Sequence, residues 1–236
     1  MHRIFLLSLI VLSTACQLSP DDNKTNTTEV KIVSAMKQVM WKGELSSKID
    51  LDTIAERKAL YGIGPLVGLK GELMIYDGIS YVSMAKEDSS VIVGQNFEVS
   101  APFFVYANVN KWEEVDLADD IISLSDLEEF IDSSCQARTA PFVFKLEGTV
   151  KSAMLHLQNL AEGTKVSSPK EAHQGQLDYQ IKDREVMIIG FFSRVHQGVF
   201  THHDRFMHLH LLTKDLEMMG HLDRMEIDEL KLFISN

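Results

Sequence analysis

The chain has 236 residues, 45% of them hydrophobic, 24% charged and 8% aromatic, a balance that buries a real core and excludes disorder over most of its length. Thirteen glycines and five prolines are too few for a low-complexity or collagen-like chain. Lysine and arginine number 23 against 34 aspartates and glutamates, a net charge of −11, and no basic run follows a phosphate backbone, so nucleic acid is excluded as a partner.

At the N-terminus, Arg3, the apolar stretch Ile4 to Leu12 and the small residues Ser13-Thr14-Ala15 predict an export signal over residues 1–15. Its apolar stretch rises only about 13 Å as a helix, against a hydrocarbon core of roughly 30 Å, so it does not span a bilayer. The run into Cys16 resembles a bacterial lipobox, with the aliphatic Leu12 one place further upstream than that pattern has it. The resemblance implies cleavage before Cys16, lipidation of its thiol and an exported lipoprotein that meets the membrane only through that anchor. The alternative is an ordinary secretory signal, which leaves a secreted or periplasmic soluble protein. Residues 16–29 are a polar tether with nothing to bury. The second cysteine, Cys135, then has no partner; it reads as a small packed side chain at a helix end, and no disulfide framework holds the fold.

Val30, Val33, Met36, Lys37, Met40 and Trp41 set a helical stripe that ends at Gly43. Glu72 to Tyr76 and Ile79 to Met84 flank Asp77-Gly78, a strong hairpin signal. Phe103 to Val109 follows as a strand. Ser125-Asp126-Leu127-Glu128 has the form of a capping box, and it predicts a helix with Leu127, Phe130 and Ile131 on one face. Further strands are expected at Phe142 to Leu146, Val150 to Leu157, Val186 to Phe192, Met207 to Leu212 and Leu230 to Ile234. The polar stretch Ala161 to Gln176, with Gly163, Pro169 and Gly175, reads as a loop dividing two sheets. The expected fold is α/β of the α+β type: a sheet lobe with helices over residues 30–160 and a second sheet lobe over 161–236, both sheets mixed or antiparallel.

Six of the nine histidines (His196, His202, His203, His208, His210 and His221) crowd into residues 196–221. On a strand, His208 and His210 point to one side, about 6 to 7 Å apart at the backbone, while Met207, Leu209 and Leu211 point into packing. His221, following Gly220, returns from the next turn as a third nitrogen. Three imidazoles with open positions suit zinc or another late first-row divalent metal. His202 and His203, beside Asp204 and Arg205 in a turn-like stretch, read as solvated. A cupin-like barrel also uses His-x-His on a strand, but it places a glutamate four or five residues later, where this chain has Lys214 and Asp215.

His208-Leu209-His210 followed by Gly220-His221 resembles the metal motif of the alpha-acetolactate decarboxylases, with that family's spacing. Leu69-Lys70-Gly71-Glu72-Leu73-Met74 resembles the family's hairpin strand that carries a metal-site carboxylate. Leu146-Glu147-Gly148-Thr149-Val150-Lys151 resembles another of its strands, and the likeness runs from about Val33 to Phe233. The resemblance implies Zn2+ or another divalent metal on His208, His210, His221 and Glu72, in a site between the two lobes. It implies a small 2-hydroxy-3-keto acid as substrate, decarboxylated to acetoin through an enediolate with the metal as Lewis acid, and a homodimer. Glu72 either ligates the metal or manages the proton.

Three departures stand out. Leu155-His156-Leu157 stands where the family has an active-site arginine, so His156 takes the place of the cation that faces the substrate carboxylate. Pro65 replaces a threonine seven residues before Glu72. The sequence stops at Asn236, where the family runs on to another active-site glutamate. These changes leave open a second reading, a lipid-anchored metal- or ligand-binding protein on the decarboxylase scaffold with lost or altered activity.

Overall fold

The computed structural model describes residues 28–236. The expected export signal, Cys16 and nearly all of the tether lie outside the described residues. In chain order the elements are β1 (Lys31–Val33), α1 (Met36–Lys42), β2 (Ile49–Asp50), β3 (Leu60–Pro65), β4 (Glu72–Tyr76), β5 (Ile79–Ala85), β6 (Val91–Gln95), β7 (Ser100–Ala101), β8 (Phe104–Asn108) and β9 (Trp112–Val115). Then come α2 (Leu124–Ser134), β10 (Phe142–Leu157), α3 (Pro169–Ala172), β11 (Leu177–Phe192), β12 (Met207–Thr213) and β13 (Met219–Ser235). Among the described residues no helix is long and apolar enough to cross a membrane.

One sheet has six strands in the order β1-β8-β3-β4-β5-β6, and a second has five in the order β10-β11-β12-β13-β9. Every pairing in both is antiparallel. Because β10 pairs with β13 as well as β11, the long strands of the second sheet close on themselves. The two sheets share a core in which Tyr61, Ile63 and Met74 of the first meet Val143, Ile189, Phe191 and Met219 of the second. Glu147 ties them further: its carboxylate accepts hydrogen bonds from Tyr76 on β4 and Lys145 on β10. The fold is thus of the α+β class, mostly antiparallel sheet with few helices.

The expected hairpin forms at Asp77-Gly78, both at positive φ as a tight two-residue turn requires. Other elements differ from expectation for local reasons. Only Met36–Lys42 of the front stripe is helical, because Lys31–Val33 extends to pair with β8. The capping box of α2 sits two residues early: Ser123 accepts from the Asp126 backbone N–H, and the Asp126 carboxylate accepts from that of Ser123. Both serines head an S-x-x-acid sequence, and the earlier one takes the cap. The strands expected on either side of Gly148 are one continuous strand, β10. Gly148 is at φ 141°, and a Cβ there would lie 2.0 Å from the Glu229 carbonyl oxygen, so the close approach of β13 requires glycine.

The stretch Ala161 to Gln176 does not divide the sheets. The chain passes from the first sheet to the second between β8 and β9, and β10 belongs to the second because it pairs along its length with β11 and β13. Cys135 lies buried at the end of α2, a free thiol pushed up in pKa by burial. It is a packing residue.

Candidate metal centre between the two sheets

β12 is buried on both faces. Met207, Leu209 and Leu211 enter the core beneath the second sheet, which turns His208 and His210 toward the first. β13 lies between β12 and β10, and its register sets His221 directly opposite His210 on one side and His156 on the other. Three neighbouring strands therefore carry His156, His221 and His210 in one row. Gly220 permits this approach, since a Cβ there would lie 2.7 Å from the His156 carbonyl oxygen.

The rings of His208, His210 and His221 converge, with centres 5.1 Å apart for His208–His210, 4.9 Å for His208–His221 and 5.6 Å for His210–His221. Imidazoles bound to one tetrahedral cation at about 2.0–2.1 Å have ring centres about 5 Å apart, so the triad already has the spacing of a shared ligand set. One nitrogen from each lies within 4.8 Å of the others. All three side chains are buried, and His208 Nδ1 and both nitrogens of His210 have no hydrogen-bond partner. Burial first, then neighbouring imidazoles, drive His208 and His221 well below the usual histidine pKa; burial and the His156 charge take His210 to about 3. Neutral and convergent imidazoles are the protonation state and geometry that a divalent cation takes.

Glu72, on β4 of the facing sheet, is also buried, with Oε2 3.7 Å from His210 Nε2. Its Oε1 accepts from the Gln158 backbone N–H at 3.2 Å. Burial raises its pKa to about 8, against the opposing pull of His156 and that N–H. Pro65 lies opposite Glu72 in the β3–β4 register. The structure thus brings together His208, His210, His221, Glu72 and His156, drawn from both sheets.

His156 is buried, and its Nδ1 lies 2.9 Å and 2.8 Å from the two oxygens of Asp223. Burial opposes charge on this imidazole, but Asp223 outweighs it and raises the pKa. Its Nε2 faces the Gln158 side-chain amide at 3.4 Å. Sequence reasoning missed Asp223, although it stands two residues after His221 and so on the same face of β13, a signal that strand alternation carries. It missed Gln158, and also His173 at the end of α3, whose ring centre is 6.2 Å from that of His156. His202, read from sequence as solvated, instead packs 5.0 Å from the His221 ring, and burial lowers its pKa. His203 is exposed. His196 stacks on Phe200 and bonds Ser193 outside the triad.

Residues 32–236 match the family model described as alpha-acetolactate decarboxylase. The chain belongs to this family. Its fold is similar to that of alpha-acetolactate decarboxylase from Bacillus subtilis strain 168, with a TM-score of 0.72 and 22% identity over 87% of this chain and 84% of the other. A Staphylococcus aureus protein of unknown function similar to alpha-acetolactate decarboxylase aligns equally well, with a TM-score of 0.72 and 20% identity over 88% and 85% of the two chains. No curated protein sequence matches this chain significantly. The Glu72 and histidine site thus sits in the alpha-acetolactate decarboxylase fold, with His156 and Asp223 paired beside it.

The metal-free protein offers a pH test of the buried carboxyl. Glu72 holds its proton to about pH 8, so the stability linked to that proton is full below the ordinary carboxyl pKa and is lost as pH rises through about 8. With chelator present, Glu72→Gln should raise Tm by roughly 4 °C or more at pH 8.5 and leave it nearly unchanged at pH 5. An equal shift at both values would show that Glu72 is not held protonated by burial.

Proposed function

We propose that this chain decarboxylates 2-acetolactate to acetoin, using a divalent cation, zinc being the best fit, held by His208, His210, His221 and Glu72. The observation that carries this reading is the buried, convergent imidazole triad facing the Glu72 carboxylate. A cation held there supplies Lewis acidity for the electron pair that departing CO2 leaves behind. The remaining steps belong to the chain's own groups. His156, favoured as the imidazolium by Asp223 at Nδ1, directs its Nε2–H toward the site and donates to the substrate carboxylate, as the family's arginine would. Glu72, buried beside the triad, holds or returns a proton at its carboxylate oxygens once the C–C bond has broken. Purified, metal-replete protein should form acetoin from 2-acetolactate. Absence of acetoin from metal-loaded protein would favour the second reading, an anchored metal- or ligand-binding protein, for which His156 in the arginine's place is the supporting observation.

The compartment and assembly belong to this proposal. The residues before the described fold support an exported lipoprotein anchored through Cys16. Cys16→Ser should move the protein from the membrane fraction to the soluble one with an unchanged circular dichroism spectrum. A wild-type protein that is soluble and begins at a residue other than Cys16 contradicts the anchor. The family resemblance supports a homodimer, which sedimentation velocity tests.

A further inference from the structure

Gln158 is the first residue after β10 and stands two positions beyond His156. Its backbone and side chain have separate contacts. The backbone N–H donates to Glu72 Oε1, while the side-chain Nε2 lies 3.4 Å from His156 Nε2. The residue is only 3% exposed, yet its side-chain Oε1 has no hydrogen-bond partner among the described residues. Turning the amide end over end exchanges the atom that meets His156 but still leaves the other end without a partner. A buried amide atom left unsatisfied is costly, and an apolar side chain of the same length would fill the space without that cost. The amide therefore serves a ligand rather than the fold.

A 2-hydroxy acid presents a carboxylate oxygen, which only accepts, beside a hydroxyl, which donates. The edge of an amide presents an N–H beside a C=O and matches both. We infer that Gln158 is a substrate-positioning residue whose amide holds the 2-hydroxy-carboxylate end of the substrate, Nε2–H donating to a carboxylate oxygen and Oε1 accepting from the hydroxyl. The inference rests on the decarboxylase reading and adds a substrate contact to it. An arginine gives a carboxylate two parallel N–H donors, whereas His156 has only Nε2 to offer, because its Nδ1 faces Asp223. Gln158, with Nε2 beside that of His156, supplies the second donor. It takes no part in the bond changes.

Gln158→Met tests this, since it keeps the length of the side chain and the backbone N–H to Glu72 and removes only the amide. In metal-loaded protein it should weaken calorimetric binding of the unreactive 2-hydroxy-2-methylpropanoate, and lower kcat/KM on acetolactate, each by about 10-fold or more. Binding of 2,2-dimethylpropanoate, which lacks the hydroxyl, should weaken by less. The Tm of the free protein should not fall, because the amide that is lost had one end unsatisfied; a lower Tm would show that the amide serves the fold and would overturn the inference. In a His156→Ala background the loss of binding should persist, and its disappearance there would show that Gln158 acts only by holding His156. If acetolactate is turned over and Gln158→Met changes neither kcat/KM nor Kd, the decarboxylase reading stands and the Gln158 contact is wrong. If no acid is turned over but Kd still depends on Gln158, the contact survives as part of a hydroxy-acid binding site and the decarboxylase reading fails.

Discussion

His210→Ala should strip stoichiometric metal from the protein and abolish decarboxylation. His210 is fully buried at the middle of the site, opposite His221 in register and 3.7 Å from Glu72. Without it two imidazoles and one carboxylate remain, and a pair of histidines rarely holds zinc against buffer. Loss of a neighbouring supporting group typically costs about 10- to 100-fold in metal affinity or activity, so loss of a direct ligand should lower kcat/KM by more than about 100-fold. His210 is uncharged at neutral pH, so its replacement breaks no buried ion pair. His203→Ala, on the exposed turn, should retain full metal content. Equal metal loss from both variants would contradict the ligand assignment.

His156→Ala should leave metal bound and lower kcat/KM on acetolactate by about 10- to 100-fold, the equivalent of one charge-assisted hydrogen bond of about 1.5–3 kcal/mol. The sequence alone places a free imidazole here, mostly uncharged at neutral pH. Asp223 changes that expectation by favouring the imidazolium, so activity should fall as pH rises through a His156 pKa above the ordinary value, and Asp223→Asn should move that fall to lower pH. His156→Arg stays charged throughout, so its gain should be concentrated on the alkaline side and should flatten the profile. If His156→Arg instead lowers the rate at every pH while metal is retained, His156 has a proton-transfer role that arginine cannot fill.

The parts of the site legible in the sequence are those with short-range signatures. The alternation His208-Leu209-His210 fixes a shared face for any strand, and Gly220-His221 follows at the distance of one hairpin. The Asp77-Gly78 turn was equally plain, because it needs positive φ at successive residues. What stayed hidden depends on pairing across long sequence separations. Residues 177–185 of β11 carry Asp178, Gln180, Lys182 and Asp183, a polarity that resembles a loop until β10 pairs with it. The row His156–His221–His210 exists only through the register of three strands, and His173 reaches it from a one-turn helix that no periodicity announces. Asp223 was readable in principle, two residues beyond His221, but only once the strand was known to begin at Met219 rather than Leu230.

The most direct test of the central claim is to titrate divalent metal back into chelated protein while following acetoin formation from 2-acetolactate. The rate should rise in proportion to bound cation and level off at about one per chain, with no activity in its absence. Undiminished turnover by fully chelated protein, or no turnover by fully loaded protein, would contradict a metal-dependent decarboxylase built on His208, His210, His221 and Glu72.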